Sequence, residues 1–165
     1  MKLRIYPDSV LRKKNSDITA AEIEELYGLL VTSMISYGGI GIAAPQIGIS
    51  KNAAILSQDL FEGMDKPLML INPRIIEGTG FQSIEEACLS VYGIAAYVPR
   101  NYDIKIETGV GDDRKVIELQ EMPAIVAQHE IDHLNGILFP DRLKIPKRYW
   151  CLLKSVLKKY YGKKD

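Results

Sequence analysis

The sequence predicts an α+β domain, with mostly antiparallel strands packed around a central helix and a further helix at the C-terminal end. Helical periodicity is confined to three stretches, beginning after Thr19, Pro123 and Pro146, while short β-like runs fill the region between the first two. The chain shows no repeat, low-complexity segment or linker, so its 165 residues suit a single domain spanning 1–165.

Each element is justified by local pattern. Thr19-Ala20-Ala21-Glu22 has the spacing of a capping box, and Ile23, Leu26, Leu30 and Met34 recur at helical intervals. The first helix should therefore run over 20–36 and stop at Gly38-Gly39. Strand-like runs are expected at 52–56, 68–72, 87–91, 103–107 and 116–119, separated by turn residues such as Asn72-Pro73 and Gly78-Thr79-Gly80. Pro123 is expected to open the second helix and Gly136 to close it. The last helix should start at Pro146 and end near Tyr161-Gly162, with Trp150, Leu153 and Leu157 on its apolar side.

Composition excludes several classes. A hydrophobic fraction of 47% and a charged fraction of 25% are those of an ordinary globular protein. No apolar run approaches the ~18 residues of a membrane span. The start, Met1-Lys2-Leu3-Arg4-Ile5-Tyr6-Pro7, lacks the apolar core of a signal peptide. Cys88 and Cys151 cannot make a disulfide framework, which points to a reduced, cytoplasmic setting. The net charge of zero hides an asymmetry: eight basic residues lie between Lys144 and Lys164. The rest of the chain has 13 basic against 20 acidic side chains, a net charge of about −7. Such a basic tail suits either an anionic partner or a solvated helix face.

The chemistry concentrates in Gln128-His129-Glu130-Ile131-Asp132-His133. Positions i and i+4 share one helix face, so His129 and His133, the only histidines in the chain, can converge on one ion. Ile125 continues that face as an apolar wall. Glu130 stands where a carboxylate can take a proton from a metal-activated water. Glu86-Ala87-Cys88-Leu89-Ser90 offers Cys88 as a third ligand, and three protein ligands plus water is the arrangement of a catalytic rather than a structural site. Cys151 has no such companions and reads as packing.

Gly39-Ile40-Gly41-Ile42-Ala43-Ala44-Pro45-Gln46 superficially resembles a dinucleotide fingerprint. That motif needs a strand before it and a helix after it, whereas here a helix precedes and Pro45 interrupts the downstream segment. The small residues instead suggest a backbone that a ligand approaches closely, with Gln46 presenting an amide.

Taken in order, these segments resemble the three motifs of the peptide deformylases: G-x-G-x-A-A-x-Q, E-G-C-L-S and H-E-x-x-H. The resemblance runs from Pro7-Asp8-Ser9-Val10-Leu11-Arg12 to Phe139-Pro140-Asp141-Arg142. It implies a hydrolase that removes the formyl group from the N-terminal formylmethionine of newly made proteins. Cys88, His129 and His133 would hold one divalent metal, natively ferrous iron, with zinc, nickel or cobalt able to substitute. Water on that metal would attack the formyl carbon, with Glu130 as general acid/base. Gln46 and the Leu89 backbone N–H would donate to the developing oxyanion. Gly39 and Gly41 would flank the extended substrate backbone, Ile40, Ile84 and Ile125 would line the methionine pocket, and Glu86 would pair with Arg100. The partners implied are formylated nascent chains and, through the basic C-terminal helix, the ribosome. Neither a membrane nor a sequence-specific nucleic acid is implied.

Two positions depart from the family pattern: Ala87 replaces its usual glycine, and Tyr92 stands where E-G-C-L-S-x-P places proline. Two other readings stay open at this level. A zinc metallopeptidase also uses H-E-x-x-H, although its usual third ligand is a carboxylate or histidine. A catalytically silent relative would bind nascent chains or ribosomes through the tail, although Gln46, Cys88 and Glu130 are intact.

Overall fold

The computed structural model describes residues 1–143, so the expected C-terminal helix, Cys151 and the basic tail lie outside the described residues. Glu22 closes the predicted capping box, its carboxylate accepting from the Thr19 backbone N–H at 2.8 Å. The first turn, Ala20–Glu22, is 3-10 rather than α, and helix α1 runs over Ile23–Tyr37. It ends at Gly38, whose φ of 66° is the left-handed cap that glycine adopts without strain.

Among the described residues eight strands come next: β1 (Gly41–Ala43), β2 (Ala53–Leu56), β3 (Leu68–Ile71), β4 (Arg74–Thr79), β5 (Gln82–Cys88), β6 (Val91–Arg100), β7 (Asp103–Thr108) and β8 (Lys115–Gln120). They pair as β1-β2-β3, β4-β7-β8 and the hairpin β5-β6, every ladder antiparallel. The expected strand over 87–91 is corrected: β5 stops at Cys88, Leu89 and Ser90 form a turn, and β6 begins at Val91. Sequence pattern does not predict β1, β4 or β6.

Helix α2 covers Glu121–Leu134, opening two residues before Pro123. Proline is tolerated there because the first turn's N–H groups have no intrahelical partner. Gly136 lies just past the helix at φ 71°. From Ala124 to Leu134 every residue of α2 is buried, which is the signature of a helix running through a core rather than along a surface. Val126, Ala127 and Ile131 pack with Ile104, Ile106 and Leu119 of the β4-β7-β8 sheet and with Leu56 and Leu70. On the other side of the β1-β2-β3 sheet, α1 presents Leu26, Leu30 and Met34 to Ile42, Ala53 and Ile55. The predicted central helix is thus enclosed by strands. The hairpin joins Val91 and Val98 to Leu11, Leu138 and Phe139 in a third cluster, which fixes Cys88 at its edge.

Candidate active site

Helix α2 and the end of β5 bring the predicted ligands together. Cys88, His129 and His133 are buried, and their donor atoms all lie within 4.8 Å of one another. Cys88 Sγ is 3.2 Å from His133 Nε2. The two imidazoles stand edge to face with centroids 5.0 Å apart, as i, i+4 spacing on one helix face requires. His129 also stacks on Phe139. Its Nδ1 lies 2.9 Å from Glu86 Oε2, which leaves Nε2 to serve as the metal donor. One sulfur and two nitrogens suit a borderline divalent ion such as iron or zinc, and no other described cluster offers three such donors.

The electrostatics are set by burial. Burial opposes a charge on His129, but hydrogen bonds with Cys88 and Glu86 outweigh it and hold the imidazole well above its usual range. His133 is driven well below that range by burial, then by the positive charges of His129 and Arg100. Glu130 is buried in the same wall, and burial pushes its carboxyl up to about 7. Its Oε2 has no hydrogen-bond partner among the described residues. A carboxyl poised near neutrality, with one oxygen uncommitted, can both accept and return a proton.

Gln46 is held by its own turn: Oε1 accepts from the Ala43 N–H at 2.7 Å. That leaves Nε2 facing Ser90 Oγ at 3.3 Å and Cys88 Sγ at 3.8 Å. The N-terminal segment braces both neighbours, Arg4 N–H donating to Gln46 O and Tyr6 N–H to Ser90 O.

An apolar cavity of about 790 Å³ opens onto this cluster. Its lining includes Gly39, Ile40, Gly41, Gln46, Ile84, Cys88, Leu89, Ile125, His129 and Glu130, so the predicted substrate-facing residues share one space. Ala87 and Tyr92 line it too. Ala87 lies within β5 opposite Ala95, in extended backbone that tolerates its methyl group. Tyr92 lies in β6 where the register with β5 shifts, between the pairs Ala87–Ala95 and Cys88–Val91. The cavity also admits Leu3, Ile5 and Met122, which periodicity alone does not single out.

Glu86 and Arg100 pair as expected, through Nε at 2.7 Å and Nη2 at 2.9 Å. Sequence reasoning misses the third member. Asp132 accepts from Arg100 Nη1 at 2.6 Å and from Arg142, so a chain of ion pairs runs from His129 to the protein surface. The side chains of Glu86, Arg100 and Asp132 are only 4%, 3% and 6% exposed, so each buried charge depends on the others. Burial raises the Glu86 carboxyl, but Arg100 and His129 overcome that and hold it below the usual range.

Comparison with known proteins agrees with this geometry. The family model for polypeptide deformylase matches residues 1–149. The peptide deformylase of Prosthecochloris aestuarii is 39% identical over 147 residues, covering 86% of this chain and 79% of that protein. That of Hydrogenovibrio crunogenus is 40% identical over 148 residues, covering 87% and 86%. The crystal structure of Arabidopsis thaliana peptide deformylase 1B in complex with an inhibitor superposes with a TM-score of 0.84 at 33% identity, over 99% of this chain and 93% of that one. The Thermotoga maritima enzyme gives 0.78 at 34%, over 87% and 97%. The chain therefore belongs to the polypeptide deformylase family, and it is a hydrolase of that kind whose Cys88, His129 and His133 can hold a metal.

Proposed function

We propose that this chain works as a single catalytic domain that takes formyl-Met termini of nascent polypeptides and releases formate, with Cys88, His129 and His133 as metal ligands. The observation that carries the proposal is the convergence of these three buried donors with the Glu130 carboxylate at one apolar cavity. A divalent ion in that donor set, ferrous iron natively and zinc, nickel or cobalt as substitutes, supplies Lewis acidity and makes water a competent nucleophile near neutral pH.

The chain's own residues supply the rest. Glu130 takes the proton from water at its uncommitted Oε2 and returns it to the leaving amine. Gln46 Nε2 and the Leu89 N–H donate to the formyl oxygen as charge develops. Ile40, Ile84 and Ile125 receive the methionine side chain, and Gly39 and Gly41 flank the peptide backbone. Glu86, held by Arg100, keeps His129 in the tautomer that presents Nε2. The reduced state of Cys88 that this chemistry needs fits a cytoplasmic enzyme. The basic residues from Lys144 onward support ribosome docking.

The test is metal content and formate release from formyl-Met-Ala, with protein prepared without oxygen. Formate release is expected, with none from acetyl-Met-Ala, whose extra methyl group meets a closely packed site. Cys88→Ala should lose the metal and keep its fold. Glu130→Gln should keep the metal and lose about 10²–10⁴-fold in turnover. Cleavage of internal peptide bonds without formate would overturn the proposal. Salt-sensitive ribosome cosedimentation that disappears on deleting 146–165 would support the docking role, and cosedimentation unchanged by the deletion would refute it.

A further inference from the structure

We infer that Gly41 is a positioning residue for Glu130: the side chain that Gly41 lacks is the space in which the Glu130 carboxylate lies. The inference rests on Glu130 carrying the proton in the reaction proposed above.

Gly41 is the first residue of β1, paired with Leu56, and its backbone is not in the left-handed region. Conformation therefore does not call for glycine here; space does. A Cβ at this position would lie 2.7 Å from Glu130 Oε1, 2.8 Å from Val126 Cγ1 and 3.1 Å from Glu130 Cγ. Val126 and Glu130 are four residues apart on α2, so one ridge of the helix faces β1 at this point. Something must move if a methyl group is added. Val126 is β-branched and stiff about χ1 within a helix. The Glu130 carboxylate is the far end of a longer side chain, and its Oε2 has no hydrogen-bond partner among the described residues to hold it. The carboxylate end yields most easily, by a swing that mis-aims the proton carrier, while the overlap with Val126 Cγ1 is relieved by a small local shift that leaves the metal donors in place.

The other glycine of the pair behaves differently. A Cβ at Gly39 would meet Gly41 O at 3.0 Å and Leu89 Cδ1 at 3.1 Å, without touching Glu130. Gly28, on α1, has nothing within 4 Å among the described residues and serves as the control.

The experiment compares Gly41→Ala and Gly28→Ala by metal stoichiometry, melting temperature, and kcat and KM on formyl-Met-Ala-Ser. A displacement of about 1 Å in a catalytic group is worth up to ~10²-fold. Gly41→Ala should therefore lose at least ~10-fold in kcat, with metal content held near the parent value. Gly28→Ala should match the parent in all four. In a Glu130→Gln background, Gly41→Ala should cause no further loss, because the two changes act through one group. A parent-like kcat for Gly41→Ala beside an inactive Glu130→Gln would overturn this inference alone, whereas an active Glu130→Gln would overturn the proposed proton carrier itself. Recovery of kcat by adding Val126→Ala would assign the loss to a displaced helix and also overturn the inference. If Gly41→Ala does not fold, Gly41→Ala/Glu130→Ala reads the same contact through stability. Folding restored by that truncation supports the contact, and folding still absent refutes it.

Discussion

His129 donates its Nδ1–H to Glu86 Oε2 at 2.9 Å, and the same carboxylate accepts two hydrogen bonds from Arg100. One of the three candidate metal donors is therefore oriented by an ion pair that lies outside the donor cluster. Glu86→Gln should keep the fold but weaken metal binding by about 10–100-fold, the usual effect of losing a partner behind a ligating histidine. Chelator competition measures this, and unchanged affinity would remove Glu86 from the site.

Arg100 has a larger structural burden, because it neutralises both Glu86 and Asp132 in the interior. Arg100→Met strands two carboxylates away from water, and breaking one side of a buried pair costs about 3–5 kcal/mol. Urea denaturation should show a loss in that range. Arg142→Met should lose less, since its side chain is 46% exposed and Arg100 remains to hold Asp132.

A milder effect is expected at the start of α1. Hydrogen bonds from Lys51, then from the Thr19 backbone and hydroxyl, lower the Glu22 carboxyl from 4.5 to about 2. A folded-state value below the unfolded one adds stability above pH 4.5, and this is lost as pH falls from there through about 2. Glu22→Gln should flatten the acid side of the stability curve within that window and leave the neutral side parallel to the parent. A curve whose shape is unchanged below pH 4.5 would contradict the assignment.

Glu121 enters α2 at φ 54°, a left-handed position that costs a residue with a side chain about 1–2 kcal/mol. Its carboxylate accepts from the Tyr102 hydroxyl at 2.5 Å. Glu121→Ala and Glu121→Gly lose that hydrogen bond equally, but only glycine relieves the backbone. The glycine variant should therefore be the more stable of the two by about 1 kcal/mol in urea denaturation. Equal stabilities would show that the turn carries no strain.

Legibility in the sequence divides along a physical line. His129, Glu130, Cys88 and Gln46 are legible because metal and oxyanion chemistry demand particular residue types at short spacing. Helix α1 is legible from its apolar period, its capping box and its glycine stop. The turn at Leu89-Ser90 is not, because Cys88-Leu89-Ser90-Val91 contains neither glycine nor proline and reads as one apolar run. β4 and β6 hide for the opposite reason: Gly78, Gly93 and Pro99 interrupt their patterns, and pairing of β4 with the distant β7 and of β6 with β5 supplies the order that propensity does not. Asp132 escapes sequence reasoning because a long-range ion pair leaves no periodic trace. Gly41 reads locally as ligand access, since nothing near it says that a side chain 89 positions later fills the gap.

The bracing of Gln46 and Ser90 by residues 4–6 has a temporal consequence. These two bonds tie the first residues of the chain to segments that also need α2, some 115 positions downstream of Tyr6, before they can close on a metal. Arg12 and Asn15 likewise reach carbonyls at Gly136 and Leu134. Contacts of such separation form late, because the entropy of closing the intervening loop must be overcome first. Competence thus waits until α2 has been made and packed, and a copy lacking that helix carries its earlier motifs without being able to act on any chain.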